Sequence, residues 1–485
     1  MNNKNLLFTN KKIIIATVIF TFLLFALAGY GWHFYKEEID LFYTASKIKS
    51  LKDLFACFFS GNVSGNAHPT NYAPPPLTFL TSFYRPMLFV FAFIQYSLLG
   101  MQPYVHYLIS IGLHCINIHL THYLLTSFVN AATALTCTII FAIHPSYATW
   151  LGNANMQQYT ISTTCVILVA LLLKKYLDCH HKKFLIRAIL LFGFTLFIRE
   201  TIIIAPAIIA WLSLMRIINW RKACLLIGAF TVATLPYLTA KLSIFPLTLT
   251  NKQPTSFTNF SAKASLWIVQ ARTFLYDLLG ISWFQGHLKI KAFMIIVLLL
   301  GILLMFLKNT RKRHIIAALG CMTLLLWPGI MIGYFIPSRF FYEATPAYLI
   351  AVALLIEHNS PPLQKIIRLI LSVLIIGSIG YTVITVHDRT KEPTRFFHAI
   401  MNLKNNSVIQ NNPLCFFNLT NDLCWTGLAQ QLWLYKINNG QPLFVLTESE
   451  PPCSHFPPNT TFITWDYAKN KFYVLLPATS NASAA

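Results

Sequence analysis

The sequence is poor in charged residues, and it is poorest in acidic ones. Only 11% of its 485 residues are charged, and 15 Asp and Glu stand against 37 Lys and Arg. Hydrophobic residues make up 56% of the chain, which is more than a soluble protein of this size can bury in its core. The composition therefore excludes an ordinary soluble protein and predicts that lipid is the solvent for much of the chain.

Cysteine pairs at a metal-binding spacing are also missing. The chain has 10 Cys and no C-x-x-C pair, so a structural zinc site is not predicted. Cys415, Cys424 and Cys453 lie in the polar C-terminal region, where an oxidising compartment would permit a disulfide. No cofactor is required by the spacing of His, Asp and Glu, although a divalent metal is compatible with the acidic loops.

The excess of positive charge has an explanation other than nucleic acid. A net charge of +22 in a soluble protein would suggest binding to DNA or RNA. Here the basic residues lie in short segments between apolar runs, which is the pattern of cytoplasmic loops in membrane proteins. The sequence predicts the lipid bilayer as a partner and no nucleic acid, and Lys4, Lys11 and Lys12 place the N-terminus in the cytoplasm.

The apolar runs predict a mainly α, polytopic membrane protein. A transmembrane helix needs ~20 apolar residues, and this length criterion predicts about eleven transmembrane helices. They cover about 13–33, 104–127, 131–147, 157–173, 184–199, 201–215, 223–245, 292–307, 314–336, 346–356 and 367–386. Residues 1–386 form the predicted transmembrane domain, with outer loops at 34–102 and 246–290.

The C-terminal region, residues 387–485, has a different pattern. Short alternating runs at Leu443–Leu446 and Thr461–Trp465 predict strands, and Leu428–Tyr435 predicts a helix. We expect a small α/β domain on the outer side of the membrane.

Three of the few acids open the first outer loop. Glu37, Glu38 and Asp40 follow the first predicted span directly. A carboxylate beside hydrocarbon is costly and tends to be paired or functional. Two interpretations have equal weight at this point, a solvated cap of the first helix and a catalytic cluster.

Further polar residues fall on the same predicted side. Tyr84-Arg85-Pro86 closes the region that Glu37 opens, and it also fits a helix start with proline in the first turn. Arg199-Glu200 also fits a simple ion pair at a helix end. His144 and Arg339 complete the set. Four histidines on or near one predicted span suit polar packing between helices better than a metal site: His106, His114, His119 and His122.

Acids on one loop and arginines on its neighbours suit one chemistry. When a hydroxyl attacks a sugar carried on a lipid phosphate, a carboxylate can accept the hydroxyl proton. The leaving phosphate is anionic, and arginine can bind it with two parallel hydrogen bonds.

The ordered set of motifs resembles the GT-C glycosyltransferases, in particular the protein O-mannosyltransferase and TMTC-like branch and its bacterial relatives. The double acid after the first helix corresponds to Glu37-Glu38. The remaining motifs, in chain order, are Ile48–Leu51, Tyr84–Met87, Gly100–Pro103, Phe141–Pro145, Arg199-Glu200 and Arg339–Tyr342. One departure concerns the acids, since the family usually has Asp-Asp where this chain has Glu-Glu, with Asp40 two residues further on.

The resemblance implies a GT-C fold and transfer of a sugar, such as the hexose mannose, from a polyprenyl-phosphate donor to a hydroxyl on a protein or glycan. It implies Glu38, Glu37 or Asp40 as base. The predicted substrate-binding residues are Arg85, Tyr84, His144, Arg199, Glu200 and Arg339. Two alternatives stay open, a transporter or flippase of anionic lipid-linked substrates and a non-catalytic GT-C scaffold. The expected location is a bacterial inner membrane, with the endoplasmic reticulum as the alternative.

Overall fold

The computed structural model describes the helical part of the chain and four strands. The described residues are 3–30, 32, 41–42, 45–46, 48–50, 52–55, 85–144, 147, 151–244, 311–331, 338–359, 361–403, 414–417, 443–445, 461–466 and 471–475. The chain divides into two compact units. Unit one comprises Met1–Ala28, Leu108–Gly152 and Met156–Val386, and unit two comprises Gly29–Tyr107, Asn153–Asn155 and His387–Ala485.

The helices follow the apolar runs. They are α1 (Asn3–Ala28), α2 (Pro86–Leu99), α3 (Pro103–Leu125), α4 (Ala131–Ala142), α5 (Gln157–Cys179), α6 (Lys182–Ile198), α7 (Ala205–Leu214), α8 (Trp220–Ile244), α9 (Lys312–Met331), α10 (Ser338–Glu357) and α11 (Pro361–Leu403). Short 3₁₀ helices cover Ala154–Met156 and Glu200–Ile204. The predicted span at 292–307 lies outside the described residues.

Four helices in the described part of the chain are long and apolar enough to cross a membrane. They are Pro103–Leu125, Gln157–Cys179, Trp220–Leu242 and Leu371–Asp388. Shorter apolar helices accompany them, among them Lys12–Ala28 and Ala131–Ala142. These lengths and compositions indicate a multi-pass membrane protein.

Local sequence sets several helix ends. Asn130 caps α4, since its side chain accepts a hydrogen bond from the Thr133 backbone N–H at 2.9 Å. α2 begins with Pro86, whose missing N–H costs nothing in the first turn. α5 ends at His180, which adopts the left-handed conformation typical of a helix C-terminus.

Helix α10 lies at the centre of the packing in unit one. It contacts α9, α5 and α4, while α5 packs on α6 and α7 packs on α8. An apolar cluster joins α9 to α10 through Met322, Leu325, Leu326, Phe341 and Ala344. Residues 341–345 of α10 are accordingly buried, and this placement determines the environment of Tyr342 and Glu343.

The strands of unit two form one mixed sheet. They are β1 (Leu414–Phe417), β2 (Leu443–Val445), β3 (Thr461–Asp466) and β4 (Lys471–Leu475), in the order β2-β1-β3-β4. β1 is parallel to both β2 and β3, and β3 pairs with β4 in the antiparallel sense. The predicted helix at Leu428–Tyr435 falls outside the described residues, and the α/β domain stays a prediction.

A close helix contact at Gly320 gives a test of the packing. A Cβ added at Gly320 would overlap the Trp211 ring, whose Nε1 donates to the Ala317 carbonyl at 3.1 Å. Gly320→Ala is expected to lower the free energy of unfolding by about 1–3 kcal/mol, because the indole must move. Gly228→Ala is the matched control, since its Cβ meets no atom within 4 Å. Thermal unfolding in detergent measures both, and equal stability of the two variants would contradict this contact.

Candidate functional site

The structure describes part of the predicted acidic loop. Glu37, Glu38, Asp40 and Tyr84 lie outside the described residues, and their roles stay predictions. Asp53, further along the loop, accepts hydrogen bonds from the backbone N–H groups of Lys49 and Ser50, both at 3.0 Å. The hydrogen bond from the Lys49 backbone N–H, followed by one with the Ser50 side chain, lowers the pKa of the Asp53 carboxyl. Asp53 thus stabilises a local turn, and this contact explains its presence without catalysis.

Arg85 precedes α2 and is half-buried. Its side chain makes no capping hydrogen bond to the helix. Leu41 and Phe42, which follow Asp40 in the chain, belong to an apolar cluster with Leu88 and Ala92 of α2. This cluster fixes the chain just after the acidic run against the helix that Arg85 opens.

Arg199 has the most enclosed charge among the described residues. Its side chain is 0% exposed, and its Nη1 lies 3.2 Å from Oε1 of Glu343, which is 2% exposed. The guanidinium carbon lies 3.5 Å from the centre of the Tyr159 ring, which is a cation–π contact. The positive charge of Arg199 therefore has a carboxylate and an aromatic face inside the protein.

The second oxygen of Glu343 is also engaged. Thr201 Oγ1 donates to Glu343 Oε2 at 3.0 Å. Arg199 itself is the extended residue that ends α6, and Glu200 begins the next 3₁₀ helix. Glu343 thus holds the residues on both sides of Glu200, while Glu200 is half-buried. In the structure Glu343 pairs with Arg199, and the predicted substrate-binding role of Glu200 stays a prediction.

A buried polar network surrounds Tyr342, the residue before Glu343. The Tyr342 hydroxyl lies 2.7 Å from His114 Nδ1 and accepts from Asn117 Nδ2 at 3.1 Å. Asn117 Nδ2 also donates to the Thr160 carbonyl at 2.8 Å, and Asn117 Oδ1 accepts from Thr164 Oγ1 at 2.7 Å. These bonds tie α3, α5 and α10 together, and they give His114 the packing role expected from its position in a span.

His144 lies beside the same network. It is buried, and its ring centre lies 5.4 Å from that of Tyr147 and 5.3 Å from that of Phe341. Tyr147 makes an edge contact with Tyr342 at 4.7 Å. Two segments that are far apart in sequence, Phe141–Pro145 and Arg339–Tyr342, therefore supply residues to one cluster. The structure describes the backbone of Arg339 in the first turn of α10.

Sequence reasoning missed the partner of Arg199. The sequence did not assign Glu343 to the site, and Tyr159 gave no signal. An ionisable residue inside an apolar helix was the available clue, because such residues usually have a buried partner. In the part of the chain that the structure describes, no three His, Cys, Asp or Glu residues are grouped as a metal site would need.

Comparison with known proteins supports the fold. No family model matches the sequence, and no curated protein does. Among solved structures, the chain is similar to the crystal structure of ArnT from Cupriavidus metallidurans bound to undecaprenyl phosphate, with a TM-score of 0.54 and 9% sequence identity. The match covers 98% of this chain and 99% of ArnT. The likeness shows that this chain shares the fold of ArnT, while the GT-C superfamily and the branch within it stay predictions.

Proposed function

We propose that the protein is a membrane glycosyltransferase that uses a polyprenyl-phosphate-linked sugar. The observation that carries this proposal is the likeness to ArnT over almost the full length of both chains, since ArnT was crystallised with undecaprenyl phosphate. A binding site for a lipid phosphate gives a reason for arginines at helix starts in a chain with so few charges.

In the proposed reaction, an acceptor hydroxyl attacks the anomeric carbon of the sugar. The new bond joins that carbon to the acceptor oxygen, and the bond from the carbon to the phosphate oxygen breaks. Glu38, Glu37 or Asp40 takes the hydroxyl proton, and polyprenyl phosphate leaves as an anion. Packing of Leu41 and Phe42 on α2 supports this assignment, because these residues directly follow Asp40 in the chain and lie against the helix that begins after Arg85.

Arg85 and Arg339 stay proposed phosphate-binding residues, as the sequence resemblance implies, and Tyr84 stays a proposed substrate-binding residue. Both arginines stand at helix starts, at the boundary of α2 and in the first turn of α10. Arg199 was predicted to bind phosphate as well, but its charge already pairs with Glu343. We therefore propose a structural role for Arg199, which supports the site without binding phosphate. Glu200 is proposed to contact the acceptor. His144 is proposed to pack against the residues of the site.

The substrate classes follow the sequence resemblance. We propose a hexose such as mannose as the sugar and a protein or glycan hydroxyl as the acceptor, with the site on the outer face of a bacterial inner membrane. The chemistry requires no metal, because arginine can stabilise the leaving phosphate.

Transfer by the purified protein in liposomes tests the proposal. Labelled polyprenyl-phosphate mannose should yield labelled acceptor and free polyprenyl phosphate, and added undecaprenyl phosphate should inhibit. Arg85→Gln is expected to lower kcat/KM by about 10-fold to 100-fold, the effect of losing a charged hydrogen bond of about 1.5–3 kcal/mol. Arg187→Gln is the control, since Arg187 is exposed on α6.

Two results would overturn the assignment. Movement of intact labelled donor across the membrane without cleavage of the sugar–phosphate bond would identify a transporter. Absence of both transfer and movement, with other polyprenyl-phosphate sugars also inactive, would identify a scaffold.

A further inference from the structure

Glu343 contacts Arg199 and Thr201, the two residues on either side of Glu200 in the chain. We propose that Glu343 is a positioning residue: by holding Arg199 and Thr201, it fixes the place of the Glu200 carboxylate, which contacts the acceptor. This inference rests on the proposed function, because Glu200 matters here only if the chain transfers a sugar.

The geometry is a two-point attachment. One carboxylate oxygen of Glu343 meets Arg199 Nη1 at 3.2 Å, and the other accepts from Thr201 Oγ1 at 3.0 Å. Arg199 and Thr201 flank Glu200 in the chain. With both neighbours held, the backbone at residue 200 has little freedom to rotate, and its side chain leaves the chain in a fixed direction.

Burial makes this attachment stiff. Arg199, Thr201 and Glu343 are all buried, whereas Glu200 is half-buried. Water therefore competes poorly for the ion pair with Arg199 and for the hydrogen bond from Thr201, and both interactions are stronger in such surroundings than at the surface. The arrangement places the partly accessible side chain of Glu200 on a backbone segment whose neighbouring residues are buried and held.

The Glu343 carboxylate also connects Glu200 with Arg339, a proposed phosphate-binding residue. Arg339 lies four residues before Glu343, one turn of α10 earlier. Since Glu343 is held by the segment Arg199–Thr201, the start of α10 and the start of the 3₁₀ helix keep a fixed separation. The attachment therefore sets the spacing between the proposed acceptor residue and the proposed phosphate residue.

A role of Thr201 in core packing and a role in positioning Glu200 lead to different predictions. If Thr201 were only part of the core, its replacement would act in the same way whatever residue stands at 200. If it positions Glu200, its replacement should matter only while the Glu200 carboxylate is present. A double-mutant cycle separates the two.

Thr201→Val removes the hydroxyl with little change in shape, and Thr201→Ser keeps it. We expect Thr201→Val to lower kcat for transfer by roughly 10-fold with little change in the KM of the donor, since a shift of about 1 Å in a positioned group can cost up to ~100-fold. Thr201→Ser should restore activity. In a Glu200→Gln background, Thr201→Val should have no further effect.

A second measurement works without activity. In Glu200→Cys, the rate of modification of the new thiol by a membrane-impermeant reagent is followed by peptide-resolved mass spectrometry. Adding Thr201→Val should change that rate several-fold, and adding Thr323→Val should not. Thr323 is the matched control because its hydroxyl bonds the Leu319 carbonyl at 3.0 Å on an exposed part of α9.

The outcomes separate the two proposals. If wild-type protein shows no transfer, the proposed function fails, and the thiol rates still decide whether Glu343 fixes position 200. If transfer proceeds but Thr201→Val acts equally with and without Glu200, or leaves the thiol rate unchanged, Glu343 has only a packing role and the inference is overturned.

Discussion

Replacing Glu343 with leucine is expected to lower the free energy of unfolding by about 3–5 kcal/mol, the usual cost of removing one member of a buried ion pair. Arg199 is 0% exposed, so its guanidinium cannot turn to water when the carboxylate is lost. The cation–π contact with Tyr159 remains, but its contribution of about 0.5–2 kcal/mol is too small to replace the ion pair.

The double variant Arg199→Met/Glu343→Leu should recover most of that loss. Replacing both members of a buried pair by apolar side chains removes the charge together with its desolvation cost, and the result is often neutral for stability. Unfolding in detergent by denaturant or heat compares the two variants with wild type. Recovery of stability without recovery of transfer would show that the pair serves position rather than stability.

An exposed ion pair provides the control for this prediction. Lys174 Nζ lies 2.7 Å from Asp178 Oδ2, a shorter distance than that between Arg199 and Glu343. Their side chains are 38% and 61% exposed, so Asp178→Asn should cost less than about 1 kcal/mol because water solvates the lysine. If Glu343→Leu lowered the free energy of unfolding no more than Asp178→Asn does, the burial of the Arg199–Glu343 ion pair would be contradicted.

The sequence predicts the helices well where hydropathy alone marks them. The predicted span at about 104–127 corresponds to α3, and the one at about 157–173 to α5. Hydropathy locates the part of a helix that lipid surrounds, and it does not report where the hydrogen bonding stops. α11 accordingly continues to Leu403, past the predicted end of the span at 386.

The start of α10 shows why polar residues mislead this method. A span was predicted from about 346, but the helix begins at Ser338. Arg339 and Glu343 interrupt the apolar run, so a hydropathy window excludes the first turns. In the structure Glu343 is buried against Arg199, and its cost in an apolar environment is offset by a partner that the sequence window does not contain.

Partners that are distant in sequence also limit how much of the site can be predicted. Thr201 and Glu343 are 142 residues apart in the chain, and no local spacing connects them. Each ionisable residue in an apolar stretch of the sequence is a candidate for a functional or paired role. Arg199 and Glu200 are adjacent in the chain, so the sequence identifies them together. Which acid meets Arg199 depends on how α10 packs against its neighbours, and that is a property of the tertiary structure.

The loop acids are expected to show the largest effect on activity. Among Glu37→Gln, Glu38→Gln and Asp40→Asn, the variant that removes the base should lower kcat by about 10²-fold to 10⁴-fold, the usual contribution of general base catalysis. Each amide keeps the size of the acid and can no longer accept a proton. Binding of undecaprenyl phosphate should change little, because that site is assigned to arginines.

The three single variants also decide which acid is the base. The proton must pass over about 3 Å, and a glutamate reaches one carbon–carbon bond further than the aspartate usual at this place. If Asp40 is the base, Glu38→Asp should keep activity; if Glu38 is the base, the shortened side chain should lose most of it. Asp53→Asn is the matched control in the same loop, since its carboxylate holds the turn at Lys49 and Ser50. Unchanged transfer in all three acid variants, alone and combined, would remove this loop from the mechanism while leaving the buried pair of Arg199 and Glu343 in place.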